Sequence, residues 1–332
     1  MSTALLLIQV LNGLQLGVLL FLVAAGLTLV FGVMGFINLA HGVQYMVGAY
    51  LALAFTGLTG NFFAGLALGL LAALAIGLAL EFLVFRHLYE RDHLDQVLAT
   101  FGIILFLNEA ARTIFGPTPL TIDPPELLSA SIPLTDGLLF PVYRLAIIGA
   151  GLAVALALYL VVNHTRTGML IRAGATNPDT VAALGVDIRR LFMVVFGFGA
   201  MLAGLAGALA APIFAVEPNM GDDLLITAFV VIIIGGIGSI RGAFIAALLV
   251  GLVDTLGRSL VTDGLRLFLD ASSANQVGPA LASMLVYILM AGVLFFMIVV
   301  VGMFFSAMVV VIVVRRLFRA MVVIAVRVVA VI

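Results

Sequence analysis

Uninterrupted apolar runs, several of them longer than the roughly 20 residues that cross a bilayer, constrain this chain more than anything else in it. They lie at 5–33, 36–58, 62–85, 95–115, 142–163, 191–215, 224–240, 242–261 and 278–301. In hydrocarbon a backbone must satisfy its own hydrogen bonds, so such runs fold as helices. They lack the apolar–polar alternation of an outer-membrane barrel strand. The chain is 64% hydrophobic and only 9% charged. The expected fold class is an all-α polytopic membrane protein of about eight to ten transmembrane helices with broken or re-entrant segments. No polar segment is long enough to bury a core of its own. One membrane domain is therefore expected over residues 1–301, followed by a hydrophobic, arginine-containing tail, 302–332, with no role assigned.

What the chain lacks narrows its chemistry. All 15 basic residues are arginine, and there is no cysteine. Without lysine there is no Walker A loop and no Schiff-base cofactor site. Without cysteine there is no disulfide, thiolate metal site or thiol catalysis. The histidines, His41, His87, His93 and His164, show no HExxH spacing, and there is neither a GxSxG elbow nor a carboxylate cluster. No catalytic residue, metal or cofactor is expected, and nothing points to nucleic acid. The first formal charge is Glu81, so residues 5–33 read as a retained span rather than a cleavable signal.

Arginine placement sets the expected orientation. With loops 86–93 and 163–190, position 241 and the C-terminal tail in the cytoplasm, eleven arginines lie inside and four lie outside or near the outer ends of spans, which suits nine spans and an outer N-terminus. The loop 116–141 is proline-rich and acidic, and falls outside.

Charges within the apolar runs are sparse. Glu109 with Arg112, and Asp254 with Arg258, are spaced to neutralise one another along a helix face. Glu81 sits near the cytoplasmic end of its span, within reach of the interface. No isolated carboxylate stands at mid-span as an ion-coupled carrier would need. Most of the 35 glycines fit close helix packing.

Two segments break the pattern. GVMGFINLAHG (32–42) interrupts an apolar region with glycines, Asn38 and His41, marking a broken helix or tight bend of the kind that lines transport pathways. Asn38 and His41 also fit interhelical hydrogen bonding. GGIGSIRG (235–242) reads as a bend at the cytoplasmic surface. The pathway candidates are Asn38, His41 and Gly42 at the first break, and Gly235, Gly236 and Gly238 at the second.

The one long polar stretch between apolar segments, 163–190, contains a short helix with its own start and stop signals. Asn177 serves as N-cap, Pro178 takes the first helical position, Asp179 complements the dipole, and Gly185 closes the helix. Such a helix is a handle for a soluble partner; the competing reading is an ordinary connecting loop.

Three segments in order, LTLVFGVMGFINLAHGVQYMVGAY (27–50), RTGMLIRAGATNPDTVAALGVDIRR (166–190) and FVVIIIGGIGSIRGAFIAALLVG (229–251), resemble the permeases of branched-chain amino acid ABC importers. The resemblance spans about residues 5–290. It implies an importer of the bacterial inner membrane: a periplasmic binding protein delivers the amino acid, a second homologous permease completes the pathway, and two cytoplasmic ATPases supply the energy. It also implies that the capped helix is the coupling segment, with Asp179, Ala182, Ala183 and Gly185 meeting the ATPase. Thr180 and Val181 stand where the family pattern has two alanines, and the tail runs past the family's usual end. Leucine, isoleucine and valine are the implied substrates, although related permeases carry urea, short amides or other amino acids. The alternatives are an ATP-independent carrier of small polar metabolites and a non-transporting scaffold.

Overall fold

The computed structural model describes residues 3–135 and 138–299. Its helices are α1 (Thr3–Met34), α2 (His41–Thr59), α3 (Phe62–Leu83), α4 (His93–Phe115), α5 (Val142–His164), α6 (Arg166–Thr176), α7 (Pro178–Ala183), α8 (Ile188–Ala210), α9 (Asp222–Gly235) and α10 (Ile240–Leu265), with α11 over Ala271–Val299. The proline-rich loop carries a feature that its sequence does not announce, an antiparallel hairpin of β1 (Ser131–Thr135) and β2 (Leu138–Pro141). The chain divides into two units, residues 1–286 and 287–332, and α1 to α10 all belong to the first. The tail assigned to 302–332 lies outside the described residues.

Among the described residues seven helices are long and apolar enough to cross a membrane: α1, α3, α4, α5, α8, α10 and α11. The protein is an all-α multi-pass membrane protein. α2 and α9 fall outside that set, and irregular chain, residues 35–40 and 211–221, precedes each of them. The apolar stretch 36–58 is thus helical only from His41, and the stretch 191–215 ends in turns after Ala210. Gly35 ends α1: its φ of 62° lies in the left-handed region that other residues avoid.

α1 is the axis of the bundle, with 83% of its most apolar stretch buried against 17% for α5. The packing has an internal symmetry. Exchanging α1–α2–α3 with α8–α9–α10 maps the most extensive packed pairs among these six helices onto one another: α1 lies along α10 as α8 lies along α3, α2 packs on α8 as α9 packs on α1, and α2 packs on α3 as α9 packs on α10. α1 and α8 run antiparallel and cross at Gly26 and Gly199. The two halves therefore form an inverted repeat of the sort on which many transporters are built.

Small residues make these crossings possible, since a missing side chain lets backbones approach where no hydrophobic drive exists. A Cβ on Gly207 of α8 would sit on the Tyr45 carbonyl of α2, and Gly48 faces Gly204 in the same crossing. Gly207→Leu should therefore destabilise the fold by about 1–3 kcal/mol or more, the range for overpacking. Thermal unfolding in detergent reads this directly; an unchanged melting temperature would show that the crossing yields.

The predicted intrahelical charge pairs are formed. Arg112 lies 3.7 Å from Glu109, and Arg258 makes two 3.0 Å bonds to Asp254. α4 turns its polar stripe inward: Gln96, Thr100 and Asn108 are buried, while Leu98, Phe101, Leu105 and Phe106 are exposed.

Candidate functional site

The first break folds the chain back along α1. From Gly35 it runs beside the helix until His41, whose Nε2 lies 3.0 Å from the Val23 carbonyl oxygen. Val23 is about 16 Å back along α1 from Met34, at 1.5 Å per residue. α2 therefore starts inside the bundle. Gly42 at its first turn packs on Gly221 and Leu225, so α2 and α9 meet at their N-terminal ends. Asn38 and His41 are fully buried. His41 thus takes the interhelical hydrogen bond expected of it, with Gln44 one turn on facing its ring. Both amide atoms of Asn38 and the Thr28 hydroxyl lack a protein partner. The break is a polar seam in the interior of the domain.

At the second break Gly236 and Gly238 take φ of 85° and 82°, and the Ser239 hydroxyl caps α10 by accepting from the Gly242 amide at 3.0 Å. Arg241 is exposed, as expected of a surface bend. Gly235 packs on Gly242, and Gly238 lies against Gly32 near the end of α1. The two breaks thus flank the same helix.

The capped helix forms as its signals predict. The Asn177 side chain accepts from the Thr180 amide at 2.9 Å, and Pro178 opens α7. Val186 N donates to Val181 O at 3.3 Å and Gly185 N to Ala182 O at 2.9 Å, the paired bonds of a Schellman ending. Gly185 has φ of 86°, the left-handed conformation that this ending requires. Val181 is buried and holds the helix to the domain. Asp179, Ala182, Ala183 and Gly185 are exposed, and so is Leu184 at 79%. Leu184 is absent from the sequence-derived set, yet it is the large apolar side chain of this surface.

Beneath α7 lies a cleft of about 570 Å³ walled by Val33 and Met34 of α1, by Glu81, Arg86 and Tyr89, and by Pro178, Asp179, Ala182, Arg189 and Phe192. Glu81 corrects an expectation. Its side chain does not reach the interface but is 1% exposed, with Arg86 at 3.2 Å and the Tyr89 hydroxyl donating at 3.1 Å. The turn after α3, residues 85–89, brings both partners back over the carboxylate, a tertiary arrangement that no helix-face spacing reveals. Burial and then the adjacent Glu81 carboxylate push the Tyr89 phenol well above its usual range, so it stays a donor. Arg86 also stacks on Phe82, 3.9 Å from the ring centre.

A helical bundle with an inverted repeat, two interrupted helices and an exposed capped helix over a cleft defines a polytopic membrane transport subunit. The chain belongs to the family described as the permease component of the branched-chain amino acid transport system, whose model matches residues 9–294. It is 29% identical over 306 residues to the high-affinity branched-chain amino acid transport system permease protein LivH of Escherichia coli, covering 86% of this chain and 94% of that one. It is 30% identical over 269 residues to BraD, the corresponding permease protein of Pseudomonas aeruginosa, covering 77% and 87%. The ribose import permease protein RbsC of Escherichia coli is more distant, at 26% over 247 residues, covering 70% and 72%. No solved structure matches the chain significantly.

Proposed function

We propose that this chain is the permease subunit of an ATP-driven importer in the bacterial inner membrane. It takes branched-chain amino acids from a periplasmic binding protein, pairs with a second homologous permease, and is powered by two cytoplasmic ATPases. The observation that carries the reading is α7: an exposed, rigidly capped helix on the arginine-rich face, seated over the ends of α1, α3 and α8. Asp179, Ala182, Ala183 and Gly185 form the contact with the ATPase. Asn38, His41 and Gly42, with Gly235, Gly236 and Gly238, mark the two breaks that move during translocation; the burial of Asn38 and His41 favours hinges beside the pathway over its wall. The substrate rests on the family and on relatives such as LivH. RbsC, named for ribose, indicates that this architecture alone does not select the cargo.

The test is purification of the tagged chain from its native membrane in mild detergent, followed by reconstitution with whatever accompanies it. Co-recovery of a second permease and P-loop ATPases, and ATP-dependent leucine uptake once a binding protein is added, is the expected result. A chain that comes out alone after crosslinking and moves leucine without ATP would replace the importer with an autonomous carrier.

A further inference from the structure

We propose that Gln96, together with a cluster of aromatic rings, is the mechanical link that carries movement of α7 to the helix break at residues 35–40. The inference rests on the importer reading above and adds to it a positioning residue. Gln96 on α4 is 3% exposed, and its amide bonds to two separate segments, with His93 Nδ1 of its own helix also 3.4 Å from Oε1. Its Nε2 donates to the carbonyls of Leu88 at 3.1 Å and Arg91 at 3.2 Å, in the loop after α3. Its Oε1 accepts from the backbone amide of Ile37 at 3.3 Å, inside the break. Ile37 lies in no helix, and a buried backbone N–H must find an acceptor. The break is thereby tied to the loop that walls the cleft.

Adjacent side chains tie the same pieces together. Phe36, fully buried, sits 5.3 Å from Phe85 and 5.7 Å from Tyr89 between ring centres. Tyr89 meets Phe192 of α8 at 5.4 Å, and both line the cleft under α7. α8 begins at Ile188, just past the ending of α7. A displacement of α7 therefore reaches the first turn of α8, then Phe192 and Tyr89, then Phe36, and Gln96 prevents the break from sliding past the loop. Close-packed rings and a saturated amide pass on displacement because they cannot be compressed.

A purely structural role for Gln96 makes a different prediction: its loss would lower folding, hydrolysis and transport together. Gln96→Met keeps the volume and removes the hydrogen bonds; Gln96→Glu keeps the acceptor for Ile37. With the ATPases, the second permease and the binding protein in liposomes, Gln96→Met should hydrolyse ATP at the wild-type basal rate. Leucine moved per ATP should fall roughly tenfold, and Gln96→Glu should lose less. An unchanged ratio, or hydrolysis and uptake falling in proportion, overturns the link. If Gln96→Met fails to accumulate in the membrane, Phe36→Leu applies the same ratio test to the ring half of the link, and an unchanged ratio there overturns it equally. Wild-type liposomes that show no ATP-driven uptake would instead refute the importer reading.

Discussion

Gly185→Asp should leave the protein folded and inserted while abolishing ATP-driven transport. Gly185 is exposed, with φ of 86°. Aspartate enters left-handed backbone more readily than most residues, at a cost of about 1–2 kcal/mol, and its side chain would project outward rather than into the core. The cost appears on docking. Around Gly185 the surface is apolar, with Ala182, Ala183 and Leu184 all exposed. A partner seated there would bury the new carboxylate without a counter-ion, a penalty of roughly 3–5 kcal/mol. At 1.4 kcal/mol per decade this weakens association by about two to three and a half orders of magnitude. Gly185→Asn separates charge from backbone strain, because asparagine tolerates the same conformation and adds no charge; it should retain most of the transport. The measurement pairs ATPase co-purification with the melting temperature of the permease alone. Full transport by Gly185→Asp would sink the assignment of α7 as the coupling element.

The ends of α7 are legible in the sequence because capping is local. Asn177, Pro178 and Gly185 act on backbone groups within a few residues, and the bonds they form are the ones their spacing implies. The ion pairs Glu109–Arg112 and Asp254–Arg258 are legible for the same reason. Where the chain folds across itself, sequence patterns say less. Residues 36–58 look like one apolar span, yet helix begins only at His41, since hydropathy reports how apolar a segment is and not whether it is helical from its first residue. Glu81 looks free to reach water because its partners come from the turn beyond the helix, not from its own face. Gln96 stands in the sequence as a lone amide at the start of a span. Its signal is faint but present: with Thr100 and Asn108 it forms a polar stripe at multiples of four along α4, which in a membrane helix marks the face turned inward. The exposed Leu184 has no such signal: three residues on from Val181, helical phasing would place it on the same buried side, and it is exposed because the chain leaves the helix there, at the C-cap of α7.

Arg86→Met should destabilise the domain more than any other single change around the cleft, and a second substitution should reverse most of the loss. Glu81 is almost wholly enclosed, whereas the Arg86 side chain is 30% exposed and opens toward the cleft. Removing the arginine leaves a buried carboxylate with only the Tyr89 hydroxyl, a loss of about 3 kcal/mol at the lower end of the range for broken buried pairs. That corresponds to a fall in Tm of roughly 6–12 °C for a domain of this size. Removing the acid is cheaper. In Glu81→Met the guanidinium keeps its stack on Phe82 and can turn into the cleft toward water, so the expected loss is about 1 kcal/mol. In the double variant no charge is left behind, and two apolar side chains of similar volume fill the space, which is close to neutral for many such pairs. The order of melting temperatures should therefore be wild type near the double variant, then Glu81→Met, then Arg86→Met. A double variant no more stable than Arg86→Met would mean that the pair contributes packing alone and that the enclosed carboxylate carries no electrostatic penalty of its own.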